Sequence, residues 1–140
     1  MKIRTAQLKD LGILEKISKE QFQFESLRPK FKYLINNKNY IVKVIKSKDK
    51  IFGFLVIRYL DKNLIDIYSI AIKDKYQNKG YGYRFLKDVL KNFSGYKITL
   101  EVSENNSAKK LYLKSGFKID AIRKNYYFGT DAVLMSFIKD

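Results

Sequence analysis

Apolar residues recur at helical steps in some stretches of the chain and crowd nearly every position in others, and this contrast predicts its elements. Ile3 to Thr5 reads as a short strand, followed by a helix with Leu8, Leu11, Leu14 and Ile17 on one stripe. Pro29 suits the first turn of a second short helix carrying Phe31 and Leu34. Tyr40 to Lys46 and Ile51 to Leu60 are dense in Ile, Val, Phe and Tyr, and Ser47-Lys48-Asp49-Lys50 joins them as a hairpin connection. After the turn Asp61-Lys62-Asn63, the segment Leu64 to Ile72 alternates through Ile65 and Ile67. It then runs apolar through Ile70-Ala71-Ile72, as a strand does where both faces become buried.

Helical spacing returns at Phe85, Leu86, Val89, Leu90 and Phe93, up to a stop signal at Ser94-Gly95. Ile98 to Val102 reads as a strand. Ser107 to Lys114 reads as a helix with Ala108, Leu111 and Tyr112 on one face, ending at Ser115-Gly116. Phe117 to Phe128 and Ala132 to Ile138 form a closing strand pair. The order β, α, α, β, β, β, α, β, α, β, β predicts an α/β (α+β) domain over residues 1–140. Its expected core is a mixed, mostly antiparallel sheet of about seven strands with about four flanking helices. One proline and scattered glycines punctuate the chain, with no internal repeat and no low-complexity linker.

Composition narrows the chemistry. At 140 residues and 46% hydrophobic content the chain can bury a real core. No apolar run approaches the roughly 20 residues that cross a bilayer, and Met1-Lys2-Ile3-Arg4 lacks the apolar stretch of a signal peptide. A cytoplasmic protein without membrane contact is expected. Cysteine and histidine are both absent, which removes thiolate and imidazole as nucleophile, base or metal ligand, and no metal is expected. Carboxylates, tyrosines and backbone amides remain. The net charge of +15 reads either as a solvated lysine-rich surface or as a nucleic-acid patch, and both readings favour anionic ligands.

Between the strand ending at Ile72 and the helix starting near Gly82 lies the loop Gln77-Asn78-Lys79-Gly80-Tyr81-Gly82. Backbone N–H groups at a helix N-terminus favour an anion, and Gly80 and Gly82 let the backbone approach it. Gln77 and Lys79 can add side-chain donors. The dinucleotide fingerprint wants a third glycine where Phe85 stands, and the P-loop wants Gly-Lys-Ser/Thr, so neither applies. Taken alone, the loop is equally a plain strand-to-helix turn.

Its surroundings are more specific. Ile70-Ala71-Ile72 precedes Gln-x-x-Gly-x-Gly, and downstream follow Leu100-Glu101-Val102, an Asn-containing turn, Leu111-Tyr112 and Gly116-Phe117. This set resembles the GNAT acetyltransferase superfamily. The run Arg123-Lys124-Asn125-Tyr126-Tyr127, with Asp131-Ala132 and Met135, is similar to its RimI-like group, the ribosomal-protein alanine N-acetyltransferases.

The resemblance implies that acetyl-CoA lays its pyrophosphate on Gln77 to Gly82 and pairs its pantetheine arm with the strand edge Ile70, Ala71 and Ile72. It implies Glu101 as general base, Tyr112 as general acid, and Asn105 or Asn106 as a coenzyme A contact, since the turn after Val102 is one residue short. The hairpin with Tyr126 and Tyr127 is then expected beside the acceptor, with contact to a ribosomal protein or the ribosome as the family's partner. Two departures bear on the acceptor pocket: Phe22 to Phe31 lacks the Pro-Trp pair of RimI-like proteins, and the loop between Tyr127 and Asp131 is short.

The residue chemistry fits direct transfer. An α-amine titrates near ~8 and a lysine near ~10.4, so neutralising them at pH 7 costs about 1 and about 4.6 kcal/mol respectively. A protein N-terminus is therefore the easier nucleophile. Glu101 can accept its proton once burial or neighbours raise the carboxylate's basicity, and Tyr112 can protonate the leaving thiolate. On the residues alone, Glu101 is equally a solvated strand carboxylate and Tyr112 a packing aromatic. The competing functions are acetylation of a small-molecule amine and a basic RNA- or ribosome-binding module without catalysis.

Overall fold

The computed structural model describes residues 1–127 and 129–140, and the backbone alone at Tyr127. Seven strands form one sheet in the order β1-β2-β3-β4-β5-β7-β6. They are β1 (Lys2–Thr5), β2 (Tyr40–Ser47), β3 (Lys50–Asp61), β4 (Leu64–Ile72), β5 (Lys97–Ser103), β6 (Lys118–Tyr127) and β7 (Thr130–Ile138). The helices are α1 (Leu11–Gln21), α2 (Phe31–Ile35), α3 (Tyr81–Leu90) and α4 (Ala108–Lys114). Every neighbouring pair is antiparallel except β4 with β5. The expected mixed sheet and four flanking helices are present.

Strand alternation sends the two faces of the sheet to two cores. Leu14 and Ile17 of α1 and Phe31 and Leu34 of α2 pack on Val42, Val44, Phe54, Val56 and Ala71. Phe85, Leu86, Val89 and Leu90 of α3, with Tyr112 of α4, pack on Leu55, Ile57, Ile65, Ile67, Ile98 and Leu100 on the opposite face. Each large buried apolar side chain contributes about 2 kcal/mol, and this anchoring makes the two short C-terminal helices credible supports for a site. The β3 run Ile51 to Ile57 is buried throughout because helices cover it from both sides.

Four details depart from the sequence reading. Leu8 belongs to a 3-10 turn, Leu8–Asp10, and is 49% exposed, so the helical stripe starts only at Leu11. Pro29 precedes α2, which begins at Phe31 after Lys30. Helix α3 ends at Leu90, yet Phe93 is still buried, because a turn carries it back under the sheet. The β6 strand is interrupted: Arg123 pairs with Ala132 and Tyr127 with Thr130, leaving three β6 residues against one of β7. Asp131 fills that bulge, accepting from the Asn125 N–H at 3.0 Å, and Asn125 takes φ +53°. Phe128, expected at the end of this strand, lies outside the described residues.

Candidate active site

The site begins where the parallel pair of strands fails. β4 and β5 pair only from Leu64↔Lys97 to Ile67↔Leu100. At that point β4 carries an extra residue: Val56 faces Ser69 and Ile57 faces Ile67, so Tyr68 has no partner on β3. Such a bulge bends a strand and increases its twist. β4 then stays with β3 to Ile72, while β5 stays with β7 to Ser103↔Ala132. The two strands diverge into a wedge.

One edge of the wedge is open backbone. Lys73 N–H donates to the Phe52 carbonyl, so alternation turns the backbone groups of Ile70 and Ile72 away from β3 and toward the wedge. The Ala71 side chain lies in the α1-side core, leaving its segment to act through main chain. A strand edge of this kind, whose Ile72 carbonyl already accepts from the Gln77 amide, can take an extended ligand by strand addition.

The loop after β4 closes one end. It makes a 3-10 turn, Asp74–Tyr76, then passes through Asn78 at φ +61° and Gly80 at φ +83° before α3. At Gly80 a left-handed backbone is required and no side chain crowds the approach, so glycine both makes the turn and leaves the helix N-terminus open. Gly82 packs against α4, where a Cβ would come into ordinary contact with Leu111 Cδ2 at 3.4 Å. Tyr76 stacks on Phe52 with centroids 4.1 Å apart and Tyr81 meets the same ring edge-on at 5.0 Å, which pins the loop to β3.

Gln77 lines the cleft at this end of the wedge, while its side chain also braces the loop. The Gln77 Nε2 donates to the Ile72 carbonyl at 2.7 Å and to Gln21 Oε1 at 2.9 Å, which ties the loop to β4 and α1. Its donors are spent on bracing. Lys79 is exposed and does not line the cleft. The lysines that do are Lys110 and Lys114 of α4, beside Tyr83, whose ring centroid lies 4.6 Å from Lys114 Nζ. This cleft, about 440 Å³, also takes in Ile70, Ile72, Asn78, Gly80, Gly82 and Asn106, with no carboxylate lining it among the described residues. An i, i+4 lysine pair just after the asparagine turn was the available signal for these cations.

Asn106, not Asn105, lines the wedge, and its Oδ1 accepts from the Ala108 N–H at 2.8 Å, fixing the start of α4. Tyr112 and Glu101 line a common cleft with Tyr68, Ser69 and Ile70. Tyr112 is 5% exposed, its ring edge-on to Phe117 at 5.8 Å. Burial pushes its phenol up from the ordinary tyrosine range, and the Asp66 carboxylate adds to this. Glu101 is exposed on the other face of β5, so the fold does not supply the burial expected for a base. A bound acceptor would have to do so.

On that outer side Phe22, Phe24 and Leu27, from the connection between α1 and α2, overhang the cleft, with Thr130 opposite. They fall within the two stretches, Phe22 to Phe31 and the loop between Tyr127 and Asp131, that bear on the acceptor pocket in the sequence reading, which did not single out individual residues there because neither stretch has a periodic pattern. Tyr126 is 53% exposed beside Arg123, whose guanidinium lies 5.3 Å from its ring, and is not among the cleft-lining residues; the Tyr127 side chain lies outside the described residues. Among the described residues, no helix is long and apolar enough to cross a membrane.

A strand-edge wedge leading to a lysine-flanked helix N-terminus suits a long ligand with an anionic end. The chain is 39% identical over 90 residues to the ribosomal protein bS18-alanine N-acetyltransferase of Haemophilus influenzae, covering 61% of this chain and 60% of that enzyme's length. It is 29% identical over 140 residues to a Bacillus subtilis protein named as a putative enzyme of the same kind, covering 95% of this chain and 92% of that one. The crystal structure of the Escherichia coli ribosomal-protein-S18-alanine N-acetyltransferase superposes with a TM-score of 0.85 at 24% identity, covering 99% of this chain and 94% of that one, a likeness of fold. The acetyltransferase (GNAT) domain model matches residues 5–136, and the chain belongs to that family.

Proposed function

We propose that this protein transfers the acetyl group of acetyl-CoA to the N-terminal α-amine of a protein, by direct attack within a ternary complex. The divergence of β4 and β5 carries this reading. It opens one passage through the sheet, with the phosphate-compatible cleft at one end and the exposed carboxylate Glu101 at the other.

Acetyl-CoA supplies an activated acyl group as a thioester. Backbone amides at Asn78, Gly80 and Gly82, with Lys110 and Lys114, hold its phosphates, and the main-chain edge at Ile70 and Ile72 holds its pantetheine arm. Asn106 offers its amide nitrogen to the same arm. Glu101 takes a proton from the incoming ammonium, directly or through water, and so frees the nitrogen lone pair. The amine attacks the thioester carbonyl, the new C–N bond forms, and the C–S bond breaks as the tetrahedral intermediate collapses. Tyr112, kept protonated by burial, donates its proton to the departing thiolate, and the proton that the acylated nitrogen loses as the amide forms returns to the Tyr112 phenolate through water.

The acceptor class follows from the cost of deprotonation, lower for an α-amine than for lysine by about 3.3 kcal/mol, and from the relatives' acceptor, the alanine of ribosomal protein bS18. Contact with a ribosomal protein and action in the cytoplasm belong to the same proposal. An acceptor screen with acetyl-CoA tests it. Alanine-first peptides are expected to gain one acetyl group at the α-amine by mass spectrometry. Acetylation of a polyamine with none on any peptide would transfer the assignment to small-molecule amines.

A further inference from the structure

Arg58 on β3 stands in an energetically poor setting. Its Nη2 donates to Asp66 Oδ2 at 2.7 Å, while its Nε is buried without a hydrogen-bond partner among the described residues. The Arg58 side chain retains 38% of its accessible surface and the Asp66 side chain 14%, and burial pushes the Asp66 carboxyl up although Arg58 opposes this. A half-exposed ion pair contributes little to stability, and a buried donor left unanswered counts against it. The pair therefore calls for a reason other than stability.

The neighbouring geometry supplies one. The Arg58 guanidinium lies over the Tyr68 ring, 5.2 Å from its centroid, and the Tyr40 ring meets Tyr68 edge-on at 5.6 Å. Tyr68 is the bulge residue, with no partner across the ladder, so its direction depends on side-chain contacts. Asp66 pairs with Thr99 across the parallel ladder, and two residues on in each strand come Tyr68 and Glu101, at the mouth of the wedge. Both residues line the cleft that holds Tyr112 and also the shallower trough on the outer face.

We propose that Arg58, anchored by Asp66, is a positioning residue that holds the Tyr68 ring as the acceptor-side wall of the cleft, across the wedge from Glu101. The wall narrows the directions from which an amine reaches the thioester. This inference rests on the acetyl-transfer reading above and is independent of which amine is the acceptor.

The test is steady-state kinetics with whichever amine the wild-type protein acetylates fastest in the acceptor screen, peptide or polyamine. Tyr68→Ala removes the wall. Arg58→Met with Asp66→Leu removes both charges together, so that neither is left buried alone. A triple variant combines the two. Each of the first two is expected to raise KM for the amine about tenfold or more, with KM for acetyl-CoA within about twofold of wild type. The triple variant is expected to be no worse than Tyr68→Ala, because the pair acts through the ring, and the Arg58→Met/Asp66→Leu protein to melt close to the wild-type temperature, because a half-exposed ion pair contributes little. An unchanged amine KM in the Arg58→Met/Asp66→Leu protein would overturn the proposal. So would a triple variant whose loss is the product of the separate losses, or an equal rise in both KM values with a lowered Tm. A wrong acceptor class shows separately, as turnover of a polyamine in place of peptides.

Discussion

Replacing Tyr112 with phenylalanine separates its packing from its proton. The ring is 5% exposed and edge-on to Phe117, so phenylalanine keeps the contact and removes only the hydroxyl. Because the folded phenol is held above its ordinary range by burial first and by Asp66 second, the native state stays protonated at pH 11. An unfolded tyrosine, titrating near ~10, is by then ionised roughly tenfold over neutral, which stabilises the unfolded chain by about 1.4 kcal/mol. The residue's contribution is thus intact below about pH 10 and is lost as pH rises beyond it. Phenylalanine cannot ionise and escapes that loss. The protein has eleven tyrosines, and the ten others are shared by both proteins and cancel in the comparison. Urea unfolding at pH 8 and pH 11 should therefore show Tyr112→Phe gaining about 1.4 kcal/mol relative to wild type across this interval. Release of free thiol at pH 8 should show its kcat reduced on the order of 10². A stability difference that does not change between the two pH values would refute the protonated, buried phenol. A kcat within about threefold of wild type would refute its role as the acid.

Glu101→Gln keeps the shape of an exposed strand side chain and removes the proton acceptor; kcat should fall about 10²-fold, with acetyl-CoA binding by calorimetry unchanged. Lys110→Glu with Lys114→Glu reverses the charge along the cofactor cleft and should raise KM for acetyl-CoA about tenfold or more, with a weaker salt dependence than wild type. Gly80→Ala places a Cβ on a backbone at φ +83°, and should cost about 1 kcal/mol in chemical unfolding and weaken acetyl-CoA binding.

The chain's own pattern determined which elements form and in what order, because burial on one or two faces writes directly into periodicity. Leu14 and Ile17, Phe85 to Leu90 and the dense β3 run all lie where that pattern put them. The family resemblance likewise rested on short motifs whose residues, Gly80, Glu101 and Tyr112 among them, stay local to single elements. What tertiary structure alone decided is everything that depends on one element meeting another. Gln77 became a brace because Gln21 of α1 came within 2.9 Å of it. Asn106 rather than Asn105 reached the wedge because its Oδ1 caps α4. Lys110 and Lys114 line the cleft because α4 packs beside the loop. The wedge itself depends on one unpaired residue, Tyr68, whose effect arises only when β3 and β5 draw their neighbours apart. Periodicity records how deeply a residue is buried. It carries no record of which residue of another element lies across from it, and both the site and its acceptor wall are built from such meetings.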